Sequence, residues 1–366
     1  MRVLIAPDKF KGSLPARAVA AALAAGFAAI PGVITDECPV ADGGEGFAEA
    51  LAARWDTVEG VRDPLGRPVT ARCGWMEDGT AVFSMSEASG LHRLAANERN
   101  PWRASTFGTG QLILHAAERG ASRVLVGLGG SATNDAGAGA AAALGWQFLT
   151  SDGEAVDPAP ENFLAIERIE APEEWRLPQI IAACDVRNPL LGPEGASRVY
   201  ARQKGADDRM IGHLEMALEH LAELVAEQVG VDHRALPGAG AAGGLGYGLA
   251  AFCGAELAPG FPLVAAGVRI EERIAACDLV VTGEGRVDAQ TLYGKAPVEM
   301  ARLARKYGKR IAVVCGRRDA GAPVEWADFV VSLEELEPDM ERSMRNAAEL
   351  LGAAAAQICA WARRKV

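Results

Sequence analysis

Strand-loop-helix units recur at both ends of this 366-residue chain, and that recurrence commits the ends to a parallel sheet flanked by helices. The opening reads as a strand over residues 2–7, a loop, and an alanine-rich helix over 16–30. A second strand over 33–40 runs into "ADGGEG" and a helix over 47–55. The last hundred residues alternate in the same way, from "DLVVTGEG" to an alanine-rich C-terminal helix. Residues 56–87 differ, because β-branched residues alternate with turn pairs such as Asp78-Gly79, a pattern of antiparallel hairpins. The strand-loop-helix logic returns with "SRVLVGL" and "QIIAAC". A long amphipathic helix follows over 207–230, with Met210, Leu214, Ala217, Leu221 and Val225 on one face. The length favours two domains. The expected architecture is α/β: a parallel-sheet domain built from both termini (1–60 plus 266–366) and an inserted mixed α/β domain (61–265).

Composition narrows the chemistry. Apolar residues make up 49% and charged residues 23% of the chain, enough to bury a large core. A formal charge of −11 and a pI near 5.1, with no basic cluster beyond the terminal Arg-Arg-Lys, give a nucleic-acid partner no electrostatic support. The seven cysteines are scattered and never in C-x-x-C spacing, which points to reduced thiols rather than zinc. No apolar run reaches the roughly 18 residues of a membrane span, and the opening is too short for a signal peptide. A cytoplasmic monomer or homodimer with no membrane contact is expected.

In a parallel sheet the C-terminal strand ends open onto one edge, where loops and helix N-termini gather around ligands. Five such ends carry acids, cations or glycines. Ala6 to Ser13 holds Asp8, Lys9 and Lys11, and Ala41 to Gly46 holds Asp42, Gly43, Gly44 and Glu45. The glycine-dense run Gly127 to Gly145 holds Gly129, Gly130, Ser131, Thr133, Asn134 and Asp135. Asp185 and Asn188 follow "IIAAC", and Gly283 to Lys295 holds Glu284, Arg286 and Asp288. Glycine-dense loops that open helices present backbone N–H groups to phosphate. Lys9, Lys11, Arg286 and Lys295 would make the site locally basic, and the carboxylates exceed what phosphate needs. They suit Mg²⁺ ligands, a general base and hydroxyl-binding groups, so the set describes phosphoryl transfer.

Other readings stand beside this one. No G-x-x-x-x-G-K-[ST] occurs, which excludes a Walker-type NTPase. Gly127 to Ala132 and Gly238 to Gly243 fit the dinucleotide pattern in spacing, but the first lacks the acid at the end of a following strand, having only Asp152 in a turn, and the second follows a helix and a proline rather than a strand. Gly238 to Gly246 could equally be tight helix packing, Asp42 and Glu45 a helix start, and Asp135 a cap of the alanine-rich helix. Glu87 has no strong local partner and reads as solvated. His213 and His220 share a helix face without forming a metal cluster, and no Ser-His-Asp arrangement can be argued.

Taken in order, "APDKFKGSL", "PVADGGEG", "EASGL", "GTG", "GGSATNDAGAG", "ACDVRNPLLGPEGA", "QKGA", "GAGAAGGLG" and "DLVVTGEGRVDAQTLYGKAP" resemble the bacterial glycerate kinase family, from Arg2 to about Lys309. The resemblance implies ATP-dependent phosphorylation of D-glycerate, usually on the 2-hydroxyl, with Mg²⁺. It also implies a flavodoxin-like domain from both termini and an inserted domain likened to restriction enzymes. Lys9 departs from the family, in which serine is commoner at that place. On this reading Asp185 is the first choice for the base that deprotonates the attacking hydroxyl, and Asp8 the second. Lys11 and Arg286 would neutralise the phosphoryl group or the substrate carboxylate, and Gly129 to Asp135 would cradle phosphate. Asp135 and Glu284 are the expected Mg²⁺ ligands. Ser13, Asp42, Gly43, Gly44, Glu45, Asn188, Gly240, Gly243, Asp288 and Lys295 complete the expected binding set.

Overall fold

The computed structural model describes residues 1–173, 176–288, 291 and 295–364. In chain order its strands are β1 (Arg2–Ile5), β2 (Ile34–Glu37), β3 (Arg54–Arg62), β4 (Pro68–Trp75), β5 (Ala81–Ser84), β6 (Arg123–Gly127) and β7 (Gln147–Leu149). They continue with β8 (Arg168–Glu170), β9 (Gln179–Ala183), β10 (Glu256–Ala258), β11 (Leu279–Val287), β12 (Arg310–Arg318) and β13 (Phe329–Ser332). The chain forms two compact units, one of residues 1–42 and 260–366, the other of residues 43–259.

The first unit is a five-stranded sheet in the order β13-β12-β11-β1-β2, with every neighbouring pair parallel. This is the flavodoxin-like order, with its topological reversal beside β1. Val3, Leu4 and Ile5 are all fully buried because helices cover both sheet faces, so β1 reads as a continuous apolar run rather than an alternating one. Phe27 and Leu23 of the helix Ala16–Ala28 join Leu351 and Ile358 of the helix Ala347–Ala362 in one core. These helices approach so closely that a Cβ on Gly26 would lie 2.8 Å from the Cα of Gly352.

The second unit holds a six-stranded sheet, β10-β9-β6-β5-β4-β3, parallel from β10 to β5 and antiparallel from β5 to β3. Two local expectations fail there. The helix after "ADGGEG" ends at Leu51 rather than at residue 55, because Arg54 already pairs with Trp75 across β3 and β4. The same hairpin carries β3 into the central unit, which begins at residue 43, not at 61, and ends at 259, not at 265. The long helix runs over Asp208–Leu224 and passes into a π-helical turn, Val225–Val229. Leu214, Ala217, Leu221 and Val225 are buried as their spacing requires, and Asp207 caps the helix by accepting from the N–H of Met210 at 2.8 Å. No helix among the described residues is long and apolar enough to cross a membrane.

Candidate active site

In the first unit the loop after β1 runs on against β11, with the N–H of Asp8 donating to the carbonyl of Gly283 at 2.8 Å. Asp8 is buried, and its Oδ1 accepts from the backbone N–H of Lys9 at 2.6 Å. Burial pushes the Asp8 carboxyl up to about 7; Lys9 opposes the rise, while Asp42 and Glu284 add to it. Three strand ends therefore gather carboxylates, from β1, β2 and β11. Glu284 is buried on β11, with Oε2 3.3 Å from the ammonium of Lys295 and Oε1 without a hydrogen-bond partner among the described residues. Burial raises its carboxyl despite Lys295. Lys295 also lies 3.9 Å from Asp288. The described residues hold no group of three acids, histidines or cysteines placed to bind a metal; Glu284, with a buried oxygen that none of them partners, is the residue whose chemistry suits a hard cation such as Mg²⁺.

The cationic residues stand on the same edge. Lys11 and Arg286 are exposed and, with Phe10, Ser13, Gly285 and Arg317, line a cavity of about 290 Å³. The guanidinium of Arg286 makes a two-pronged pair with Asp319, at 3.0 and 2.5 Å. Ser13 donates its hydroxyl to the carbonyl of Met344 at 3.0 Å. Of the run Gly283 to Lys295, residues 289, 290 and 292–294 lie outside the described residues.

In the second unit, the loop after β9 meets the start of "GGEG". The N–H of Gly43 donates to Oδ2 of Asp185, an exposed residue. A Cβ on Gly43 would lie 2.9 Å from both that oxygen and the backbone of Ala183, so only glycine lets the two loops meet. Gly44 packs under the glycine run after β6, where a Cβ on Gly129 would come within 2.7 Å of its Cα. Burial and Arg93 lower the imidazole of His92, and the charges of Glu87 and Glu45 oppose them.

The glycine run divides sharply. Gly129 is half-buried and Gly130 exposed, whereas everything from Ser131 to Ala140 is buried. Ser131 bridges to Gly90. Thr133 and Asn134 are fully buried; the carbonyl of Thr133 accepts from Nζ of Lys204 at 2.6 Å, and the side-chain amide of Asn134 donates to Ser197 at 3.0 Å. Asp135 is wholly buried, and both oxygens are taken: Oδ2 accepts from the N–H and hydroxyl of Thr106 and the N–H of Gly139, Oδ1 from the N–H of Gly137. Burial pushes its carboxyl up against those donors. Asp135 therefore does not fit the expected Mg²⁺ role, since it has neither a free oxygen nor solvent access.

The second glycine run explains why the first is so dense. A Cβ on Gly243 would sit 1.9 Å from the carbonyl oxygen of Thr133, and one on Gly240 2.2 Å from that of Pro189. Ala242, Gly243 and Gly244 are left-handed in succession, and Ala136 opposite them has φ of 48°. The N–H of Ala136 donates to the carbonyl of Gly243 at 3.1 Å. Gly240 and Gly243, expected to touch ligand, instead serve backbone-to-backbone packing. Asn188 is likewise engaged within the fold, accepting from the hydroxyl of Tyr200 at 2.7 Å and donating to the carbonyl of Glu194 at 2.8 Å.

One further reading changes. Glu87 is not solvated but pairs with Arg72 and, at 3.9 Å, with Arg93. His213 and His220 keep the reading of non-ligands: His213 is exposed and lies against Trp102 with ring centroids 5.9 Å apart, and His220 contacts the carbonyl of Ile166 at 2.9 Å. Sequence reasoning gave no role to Lys204, although it lies in the quoted "QKGA", nor to Thr106, whose only signal was the neighbouring "GTG".

Comparison with known proteins agrees with the ordered loops. The model of the glycerate kinase family matches residues 3–363. The glycerate 2-kinase of Escherichia coli K12 is 43% identical over 324 residues, covering 86% of this chain and 85% of its own length. The glycerate kinase of Bacillus subtilis 168 is 40% identical, covering 98% of this chain and 97% of its own. A crystal structure described as a candidate glycerate kinase 2 of Salmonella typhimurium LT2 matches with a TM-score of 0.85 and 38% identity, over 100% of both chains. With a family match from one end to the other, and relatives this similar over most of their length, the chain belongs to the glycerate kinase family.

Proposed function

We propose that this protein transfers the terminal phosphoryl group of ATP to the 2-hydroxyl of D-glycerate, releasing 2-phospho-D-glycerate and ADP. The observation that carries the reading is the 43% identity to a relative named glycerate 2-kinase. The chemistry of the strand ends supports it. Asp185 is exposed at the end of β9 and oriented by the N–H of Gly43, as a base needs to be if it is to take the proton of the attacking hydroxyl. Gly129 and Gly130 offer the accessible amides of the glycine run to phosphate oxygens. Lys11 and Arg286 are exposed cations suited to the carboxylate of glycerate or the charge of the phosphoryl group. Glu284, whose charge also acts on Asp8, is the carboxylate that would hold Mg²⁺, which when bound neutralises phosphate charge.

The test is a product assay. Purified protein is mixed with ATP, Mg²⁺ and D-glycerate and followed by phosphorus NMR. A phosphomonoester resonance matching the 2-phosphate is the expected result. A resonance matching the 3-phosphate would overturn the regiochemistry, and ATP left intact would overturn the reading as a whole.

A further inference from the structure

Lys204 is 1% exposed, in the interior of the second unit. Sealing an ammonium away from water is unfavourable, and an apolar side chain of equal length would fill the same space without that cost. A buried lysine therefore asks what its donor does. Its Nζ donates to the carbonyl oxygen of Thr133 at 2.6 Å. That carbonyl is held from the other side by Gly243, where a Cβ would lie 1.9 Å away. The backbone beneath Lys204 is fixed as well. Gly205, at φ of +102°, closes the short 3₁₀ turn Arg202–Lys204, and a Cβ there would lie 2.5 Å from the carbonyl of Arg99. Burial pushes the ammonium down to about 7 against the attraction of Asp135, so its proton-donating bond is made under strong desolvation.

Thr133, Asn134 and Asp135 are thus tied in succession to three different segments, through Lys204, Ser197 and Thr106. Upstream, Ser131 is bridged to Gly90, and Gly129 and Gly130 are the part of the run that reaches solvent. We infer that Lys204 is a positioning residue: it braces the Thr133 carbonyl from inside, and so sets the backbone amides of Gly129 and Gly130 for the phosphoryl group. The inference rests on the function proposed above, in which those amides meet phosphate.

The experiment compares Lys204→Met, which keeps length and removes the donor, with Lys204→Gln, which keeps a neutral donor. Leu214→Ala, a truncation in the neighbouring apolar cluster, serves as the control for lost stability. Each protein is measured for thermal midpoint, for kcat and KM toward both substrates, and for amide exchange over residues 127–137. Misplacing a site by about 1 Å can lower turnover on the order of 100-fold. The expected result is a kcat loss of that size in Lys204→Met, faster exchange across 127–137, and partial recovery of both in Lys204→Gln. Leu214→Ala should lose stability without the kcat loss.

A Lys204→Met protein that loses no more turnover than Leu214→Ala, or whose loop exchanges as slowly as in the wild type, overturns the inference. If Lys204→Met does not fold, Lys204→Gln against Leu214→Ala carries the same comparison. A wild-type protein inactive on glycerate would overturn the proposed function, and the exchange measurement would still decide whether Lys204 holds the loop.

Discussion

One carboxylate oxygen of Asp135 accepts from both the backbone N–H and the hydroxyl of Thr106, each at 2.7 Å. The two residues stand 29 positions apart, so the bond closes the start of the helix Phe107–Glu118 onto the glycine run. Asp135→Ala would leave the buried donors of Thr106, Gly137 and Gly139 unanswered, at about 1–3 kcal/mol for each group left unsatisfied. A loss of at least about 3 kcal/mol in urea unfolding is expected. Wild-type stability in that variant would mean the carboxylate does not anchor the loop.

Asp8 makes stability depend on pH in a definite direction. Its carboxyl is raised from 3.8 to about 7 in the folded protein, so the folded state holds a proton that the unfolded chain releases. The sign follows: the group's contribution is fully present below about 4 and is lost as pH rises through about 7. Asp8→Asn should therefore stabilise the metal-free protein at pH 8, by up to about 4 kcal/mol on a shift of three units. The gain should shrink steadily toward pH 4. Thermal midpoints across that range, in chelator, check it; a gain that grows on acidification would contradict the assignment.

Asp185→Asn keeps the shape of the side chain and removes its proton acceptor. Because Asp185 is exposed, the thermal midpoint should stay near that of the wild type. A general base contributes about 10²–10⁴-fold, and kcat should fall by that order. Turnover close to wild type would remove Asp185 from the role of base.

Gly243 and Gly66 both have positive φ, +72° and +82°, but only Gly243 meets a neighbour. Gly66→Ala carries the left-handed backbone penalty alone, about 1–2 kcal/mol. Gly243→Ala must also move the Thr133 carbonyl, so its loss should exceed that of Gly66→Ala by at least about 1 kcal/mol. Equal losses in denaturant titrations would show that the loops can separate at no cost.

The layers of the fold were legible because apolar runs and helical spacing repeat along the chain, and β1, β6, β9, β11 and β12 lie where those runs fall. The strand ends were legible too, since acids and glycines cluster there. What local sequence did not disclose is which polar residues face outward. Asp135 and Asp185 both follow strand ends in loops rich in turn formers, yet one is wholly buried and the other exposed. The difference is made by Thr106 and Gly243, far away in the chain. Lys204 escaped for the same reason, because its partner lies 71 residues distant and lysine ordinarily stays in water. The extent of β3 was misjudged because Arg54 and Trp55 suit a helix end as well as a strand, and only their pairing with β4 decides.

The first unit is interrupted after residue 42 and resumes at 260, and this orders events while the chain is being made. β1 ends at Ile5, but its neighbour β11 begins only at Leu279. At about 5–20 residues per second the ribosome needs roughly 15–60 s to deliver it. Throughout that interval Val3, Leu4 and Ile5, fully buried in the finished unit, wait on an unpaired strand edge while the central sheet acquires all its strands. The open edge of β1 is thus the part of this unit that waits longest for its partner, and the arrival of β11 closes it.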